Sequence, residues 1–346
     1  METRRSPDHP MSLATATRTD GSPCLSVIVV SWNTRDVLRR CLASVSRHLA
    51  GADYECLVVD NASVDGSPEM VAHEFPAVQL LRQPTNAGFG AGCNAGMRTA
   101  RGRYFLLLNS DTELLDDGAL RLVARLEASA GVGVVGPRIV LGDGRLQASA
   151  RRFPSLGRLL LASLWLHRLL PPARAARLLL GPYWDHAEER EADWVVGAAM
   201  FVRREVFEET GGFDERIFLY GEEVEWCRRI RARGWSVLFS PLGSVRHLNH
   251  QSTDRLLGGT NRVDRCLLAE DRLLAAGSGR AAGVAAVGVR IAGAGLRLLG
   301  FGLRGWLGRD DDYGRAVRRE ARLVLRHYQR RLLGRIASGH SHEAVP

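Results

Sequence analysis

The chain has 346 residues, 45% of them hydrophobic and 25% charged, which suits one large domain or two modest ones with a substantial core. All 47 cationic side chains are Arg, and the net charge of +9 sits mostly at one end, where residues 277–346 carry 13 Arg against 5 acids. This composition excludes fibrous and low-complexity classes, and the six scattered cysteines, with no CxxC pair, suggest neither a zinc site nor a disulfide framework but a reduced cytoplasmic setting. Residues 1–22 are polar, lack the apolar stretch of a signal peptide and are expected to be a disordered N-terminal segment. Leu25–Ser31 is a continuous, β-branched apolar run, the pattern of a buried parallel strand. Helical spacing follows over Thr34–Leu49, then a second buried strand over Tyr54–Asp60, a short helix over Ser67–Glu74 with Pro68 near its start, and a strand over Val78–Arg82. A helix over Ala91–Ala100, a strand over Tyr104–Asn109, a helix over Asp117–Ala128 and a strand over Val132–Val135 complete the alternation. Such an order predicts an open, mostly parallel α/β sheet.

Beyond residue 136 the pattern changes. Arg138–Arg152 reads as a hairpin around Gly142-Asp143-Gly144, Leu156–Leu170 as a strongly apolar segment stopped by Pro171-Pro172, and Asp193–Val202 as a strand. Glu222–Arg233 is a helix ended by Gly234, followed by a strand over Trp235–Phe239. Residues 281–308 are rich in Ala, Gly and Leu, and residues 313–336 form a basic helical pattern.

In open α/β sheets ligands bind beyond the carboxyl ends of the strands. Three polar clusters stand at such ends: Ser31-Trp32-Asn33, Asp60-Asn61-Ala62-Ser63 and Asn109-Ser110-Asp111. A single cluster of this kind is usually a turn or a helix cap; three on one sheet edge suggest a site. Asp60 is placed to accept hydrogen bonds from a base or ribose, and Trp32 to flank the base. Asp111 leaves an apolar strand where an unpaired carboxylate would be desolvated, so a hard cation such as Mg²⁺ or Mn²⁺ bridging a diphosphate suits it. The glycine-rich loop Asn86-Ala-Gly88-Phe-Gly-Ala-Gly-Cys-Asn94 opens a helix and allows close approach of phosphate or sugar groups.

The runs LSVIVVSWN, VVDNASVDGS, NAGFGAGCNAG and YFLLLNSD, with the later GGFDERIFLYGEEVEWCRRIRARGW, resemble glycosyltransferase family 2, inverting enzymes of the GT-A fold, and most nearly its bacterial rhamnosyltransferase-like branch. The resemblance spans residues 23–250. It implies a Rossmann-like, mostly parallel sheet flanked by helices over 23–260, followed by a basic helical extension over 261–346. It also implies that Asn33 and Asp60 bind the nucleoside and that Ser31, Trp32, Asn61, Asn86, Gly88, Asn94, Asn109 and Ser110 bind the donor. Asn109-Ser110-Asp111 takes the place of the DxD metal motif, with Asn for its first acid, and leaves Asp111 as the carboxylate ligand of Mg²⁺ or Mn²⁺. His247, in SVRHLNH, matches a position that completes the metal or diphosphate site. Glu222-Glu223 matches the family's acidic pair, with Glu223 the expected general base one methylene longer than the usual Asp, and Glu222 the alternative. Glu225 is spaced to pair with Arg229.

The implied reaction is transfer of a sugar, rhamnose from dTDP-rhamnose as first choice, from a nucleoside-diphosphate sugar to a hydroxyl of a polyprenyl-linked or other envelope glycan. A catalytically inactive nucleotide-sugar or glycan-binding module of the same fold is the alternative. No nucleic-acid motif accompanies the basic tail. Arg290, Arg297 and Arg304 recur every seven residues and leave an apolar face opposite, as in an amphipathic helix lying in a membrane interface, so peripheral contact at the inner face of the cytoplasmic membrane is expected.

Overall fold

The computed structural model describes residues 21–248, 262–309 and 311–334. Nearly all of the N-terminal segment 1–22 therefore lies outside the described residues. The first half runs β1 (Leu25–Ser31), α1 (Arg35–His48), β2 (Tyr54–Asp60), α2 (Ser67–Glu74), β3 (Gln79–Arg82), α3 (Phe89–Thr99), β4 (Tyr104–Asn109), β5 (Thr112–Leu114) and α4 (Gly118–Glu127). Then follow β6 (Val132–Leu141), β7 (Leu146–Gln147), β8 (Ala150–Arg151), α5 (Leu156–Ser163), α6 (Pro172–Leu179), β9 (Arg190–Ala192), β10 (Trp194–Val195), β11 (Ala199–Arg203), α7 (Arg204–Thr210), α8 (Glu222–Ala232) and β12 (Ser236–His247). The main sheet has the order β3-β2-β1-β4-β11-β6-β12-β5, parallel from β3 through β4, with β11 antiparallel to both its neighbours and β12 parallel to β6.

Strand alternation explains why both faces are apolar. On β1, Val27 and Val29 pack toward α1, α2 and α4 with Leu38, Leu42, Met70 and Leu122. Ile28 and Val30 turn the other way, toward α3 and α8 with Cys93, Met97, Trp226 and Ile230. The sheet is thus covered on both sides, and its polar groups collect at the strand ends.

Several expected elements differ in detail. The strand expected over Asp193–Val202 is broken between β10 and β11 at Val196-Gly197-Ala198. The strand expected to stop at Phe239 continues to His247, with a register break between Phe239 and Ser244 where Pro241 donates no ladder hydrogen bond. The segment Leu156–Leu170 is a helix only to Ser163, and Trp165 then turns with φ 58° into a short 3₁₀ turn.

Three C-terminal helices follow: α9 (Arg262–Ser278), α10 (Arg280–Trp306) and α11 (Asp312–Leu332). α10 packs on α5, α9 and α11, with Gly293 close against the Ser163 carbonyl. Its arginine face lies inward, against the body and α9. Arg290 is 10% exposed and meets Glu270 and Asp271, and Arg297 donates to the Ala162 carbonyl and covers the Trp165 ring. Acids on α9 and ring faces on the α5 side partner these charges, so the apolar face is the one left to solvent.

Candidate active site

Sheet register brings the first polar groups together. Ser31 pairs with Asp60 across β1 and β2, and Val30 with Asn109 across β1 and β4, so the three clusters line one edge. A chain of buried hydroxyls ties them: Ser31 Oγ lies 3.0 Å from Thr34 Oγ1, which donates to Ser110 Oγ at 2.8 Å. Asn61 is 2% exposed; its amide donates to the Gly88 carbonyl at 3.0 Å and to Asn86 Oδ1 at 3.3 Å, joining the end of β2 to the glycine-rich loop. Asn86 Oδ1 also accepts from the Gly88 amide. Gly88 has φ 94°, and a Cβ there would collide with the Phe218 carbonyl, so only glycine lets this loop pass beneath the 213–221 segment.

The second half supplies the opposite wall. β12 pairs antiparallel with β5, setting His247 opposite Thr112 and therefore beside Asp111. His247 Nε2 lies 3.3 Å from Asp111 Oδ1, and its Nδ1 meets Gln147 Oε1 at 2.9 Å, which fixes the ring. Both side chains are over nine-tenths buried, 8% and 3% exposed, yet both line a cleft of about 180 Å³. Among the described residues no group of three His, Cys, Asp or Glu gathers to hold a metal. The chain offers one carboxylate and one imidazole, and a cation there would complete its sphere with substrate oxygens and water.

The acidic pair opens α8 behind Gly221, whose φ is 96°. Glu222 and Glu223 both line the cleft, and each has an oxygen, Oε2, that is buried with no hydrogen-bond partner. Burial raises both carboxyls above their ordinary range, and the Glu223 charge raises Glu222 further. The helix N-terminus and the Arg151 charge pull Glu223 back down. Glu222 is 5% exposed and packs toward Gly90, whereas Glu223 is only half-buried and lies beside Gly197. Cys41, below the Asn109 carbonyl, is pushed up to about 12 by burial and is a neutral thiol, not a nucleophile.

Of the residues singled out in the sequence, Ser31, Trp32, Asn61, Asn86, Gly88, Asn109, Ser110, Asp111, Glu222, Glu223 and His247 line this cleft. Asn33, Asp60 and Asn94 do not. Asn33 accepts from the Val64 amide and its own amide donates to Ser63, so it shapes the loop after β2. Asp60 accepts from the Ser63 amide through Oδ2, while its buried Oδ1 has no partner. Asn94 spends its amide on the Phe213 backbone and Glu215, pinning α3 to the turn before α8. Glu225 and Arg229 form the expected ion pair, at 2.8 Å. Phe89, within the glycine-rich loop, lines the cleft as well; Thr34, Gln147 and the Val196–Ala198 break also belong to the site or its supports, and no sequence signal marked them.

The glycosyl transferase family 2 model matches residues 26–211. A relative in Mycobacterium tuberculosis, N-acetylglucosaminyl-diphospho-decaprenol L-rhamnosyltransferase, is 30% identical over 258 residues, covering 67% of this chain and 78% of the relative. A succinoglycan biosynthesis protein of Rhizobium meliloti is 26% identical over 74% of this chain and 69% of its own length. Among solved structures, a mannosyltransferase of Pyrobaculum calidifontis in complex with GDP-mannose and Mn²⁺ superposes with a TM-score of 0.57 at 16% identity, over 91% of this chain and 88% of that one, a likeness of fold. Match and architecture agree: the chain belongs to glycosyltransferase family 2 and is an enzyme with the GT-A fold, in that family's rhamnosyltransferase-like branch.

Proposed function

We propose that the enzyme moves a sugar, with inversion, from a nucleoside-diphosphate sugar to a hydroxyl of a lipid-linked glycan, and that dTDP-rhamnose is the donor. The observation that carries this reading is the meeting of Asp111, His247 and Glu223 on one cleft floored by the ends of β1 and β4. The relative's rhamnosyltransferase name favours the sugar and the polyprenyl-diphosphate acceptor.

Asp60, through its unpartnered Oδ1, and Asn33 would border the nucleoside, with Trp32 against the base. Asn61, Asn86 and the Gly88 backbone would contact the donor's polar groups, with Ser31, Asn109 and Ser110 beneath. Asp111 Oδ1 and His247 Nε2 are an oxygen and a nitrogen donor facing each other; the carboxylate suits Mn²⁺ or Mg²⁺, and the imidazole beside it favours the transition ion Mn²⁺. When bound, the cation would neutralise charge gathering on the leaving diphosphate.

Glu223 takes the acceptor's proton. The pull of Arg151 and a burial less complete than that of Glu222 favour the ionised form of Glu223, whereas Glu222 is more buried and raised further. As the O–H bond yields its proton to the Glu223 carboxylate, the acceptor oxygen bonds to the anomeric carbon. The bond from that carbon to the diphosphate oxygen breaks, and the nucleoside diphosphate departs with the electron pair. No covalent enzyme intermediate is required.

A turnover screen across dTDP-, UDP- and GDP-sugars with Mn²⁺ or Mg²⁺ and a polyprenyl-diphosphate N-acetylglucosamine acceptor tests the reading. Rhamnosylated product from dTDP-rhamnose is expected; transfer from a different donor overturns the sugar, and no transfer from any donor overturns the enzyme reading of this cleft.

A further inference from the structure

The C-terminal helices carry two surface stripes that the transfer chemistry does not use. On α10, positions 281, 285, 288, 292, 296, 299 and 303 follow helical spacing, are all exposed, and are all Ala, Gly or Leu. Val284 and Trp306 flank them, 74% and 82% exposed, and Leu299 is 74% exposed. A soluble helix ordinarily turns such a face inward; here the inward face carries Arg290 and Arg297. On α11, Arg319, Arg322 and Arg326 are exposed along one face and have no acidic partner among the described residues. The same face continues to Gln329 and Leu333, which with Ile291 of α10 line a shallow groove between the two helices. The basic stripe therefore borders the groove at the margin of the apolar stripe.

We propose that the outward faces of α10 and α11 form a docking surface for an anionic lipid bilayer, with α10 lying in the membrane plane. At 27 residues, α10 presents an apolar ridge roughly 40 Å long. Its leucines and Trp306 enter the acyl boundary, and the arginines of α11 meet phosphate headgroups. Length and composition alone would let α10 cross a membrane. Its opposite face excludes that: Arg290 is buried among Glu270 and Asp271, and Gly293 is seated on Ser163, contacts a spanning helix would forfeit. Charge complementarity favours lipid over a second copy of the chain, whose matching face would set like-charged arginines near one another. Neither the identity of the sugar nor turnover bears on this surface.

The test is sedimentation of the full chain with vesicles of phosphatidylcholine alone or containing phosphatidylglycerol. Wild-type protein should pellet with the anionic vesicles and not with the neutral ones. Arg319→Glu/Arg322→Glu/Arg326→Glu should weaken that binding by about a hundredfold, at about a factor of five per removed cation. Leu299→Glu/Leu303→Glu should weaken it by about tenfold or more. Thermal unfolding should be unchanged in both, since the altered side chains are exposed. Wild-type protein that stays in the supernatant, or binding that survives both variants, overturns the proposal. So does light scattering that finds a wild-type dimer which Leu299→Glu/Leu303→Glu converts to monomer, because the ridge would then be a self-association face.

Discussion

The α/β body and the C-terminal helices bury charge in opposite ways. In the body, Asp60, Asn61 and Glu222 are buried and Glu223 half-buried, each with one buried oxygen left without a partner, at or beside a single cleft. In the helical unit, buried Asp271 is held by Arg290, Arg331 and the Tyr328 hydroxyl, and buried His327 by Asp264. Besides the buried Arg290 Nε and His327 Nε2, which make no hydrogen bond, this unit leaves unpartnered apolar surface on α10 and cationic surface on α11. An unmet polar group in a cleft is costly unless a ligand meets it, and an unmet apolar ridge costs water contact unless a surface covers it. These unmet groups are what the two proposals rest on: a polar, charged small molecule for the cleft and an extended amphipathic surface for the helices.

The sharpest way to break this contrast is Glu223→Gln. Loss of the base should lower turnover by about 10² to 10⁴-fold while nucleotide-sugar affinity stays near wild type. Glu222→Gln should cost less, and a larger loss from Glu222→Gln would move the base to that residue.

The helical unit answers to stability. Asp271→Ala leaves Arg290 and Arg331 without their shared acid and should lower unfolding free energy by about 3 kcal/mol in denaturant titration. Transfer per folded molecule should hold steady. A change well below about 1 kcal/mol would mean the network is not a structural pairing.

The smallest effect concerns pH. Glu222 is raised by burial and by Glu223, so the folded state holds its proton more tightly than the unfolded chain does. The stability tied to that proton is fully present below the ordinary carboxylate range and is lost as pH rises through the raised folded value. Glu222→Gln removes that loss. Its melting temperature should exceed wild type by a few degrees at neutral pH, with the gap closing toward about pH 4. A variant that melts lower than wild type at neutral pH contradicts the assignment. For Glu223 the same direction of shift means that turnover rises with pH as its carboxyl ionises.

Much of the body was legible because its strands are continuous apolar runs between polar turns; β1, β2 and β4 have the bounds their residues suggest. Their parallel register then forces Ser31, Asp60 and Asn109 onto one edge. Gln147 was illegible because its contact with His247 depends on how β6, β7 and β12 pair, a matter of sheet order and not of local pattern. The break at Gly197 was hidden for a related reason: the apolar run Asp193–Val202 is continuous in composition and is interrupted only where the cleft opens. For Asn94 the resemblance indicated the donor, but a buried amide next to a free backbone at Phe213 finds its partners there. The seven-residue arginine period gave the two faces of α10 but not the partners that the arginines find. Periodicity separates faces, but only Glu270, Asp271 and the Trp165 ring decide which face can be buried.

In the proposed function the Asp111–His247 pair would receive a diphosphate through a divalent cation. Calorimetric titration of dTDP-rhamnose into wild-type protein and Asp111→Ala, each with and without Mn²⁺, addresses this directly. Binding confined to wild-type protein with Mn²⁺ is the predicted result; equal affinity without the cation, or in Asp111→Ala, would contradict it.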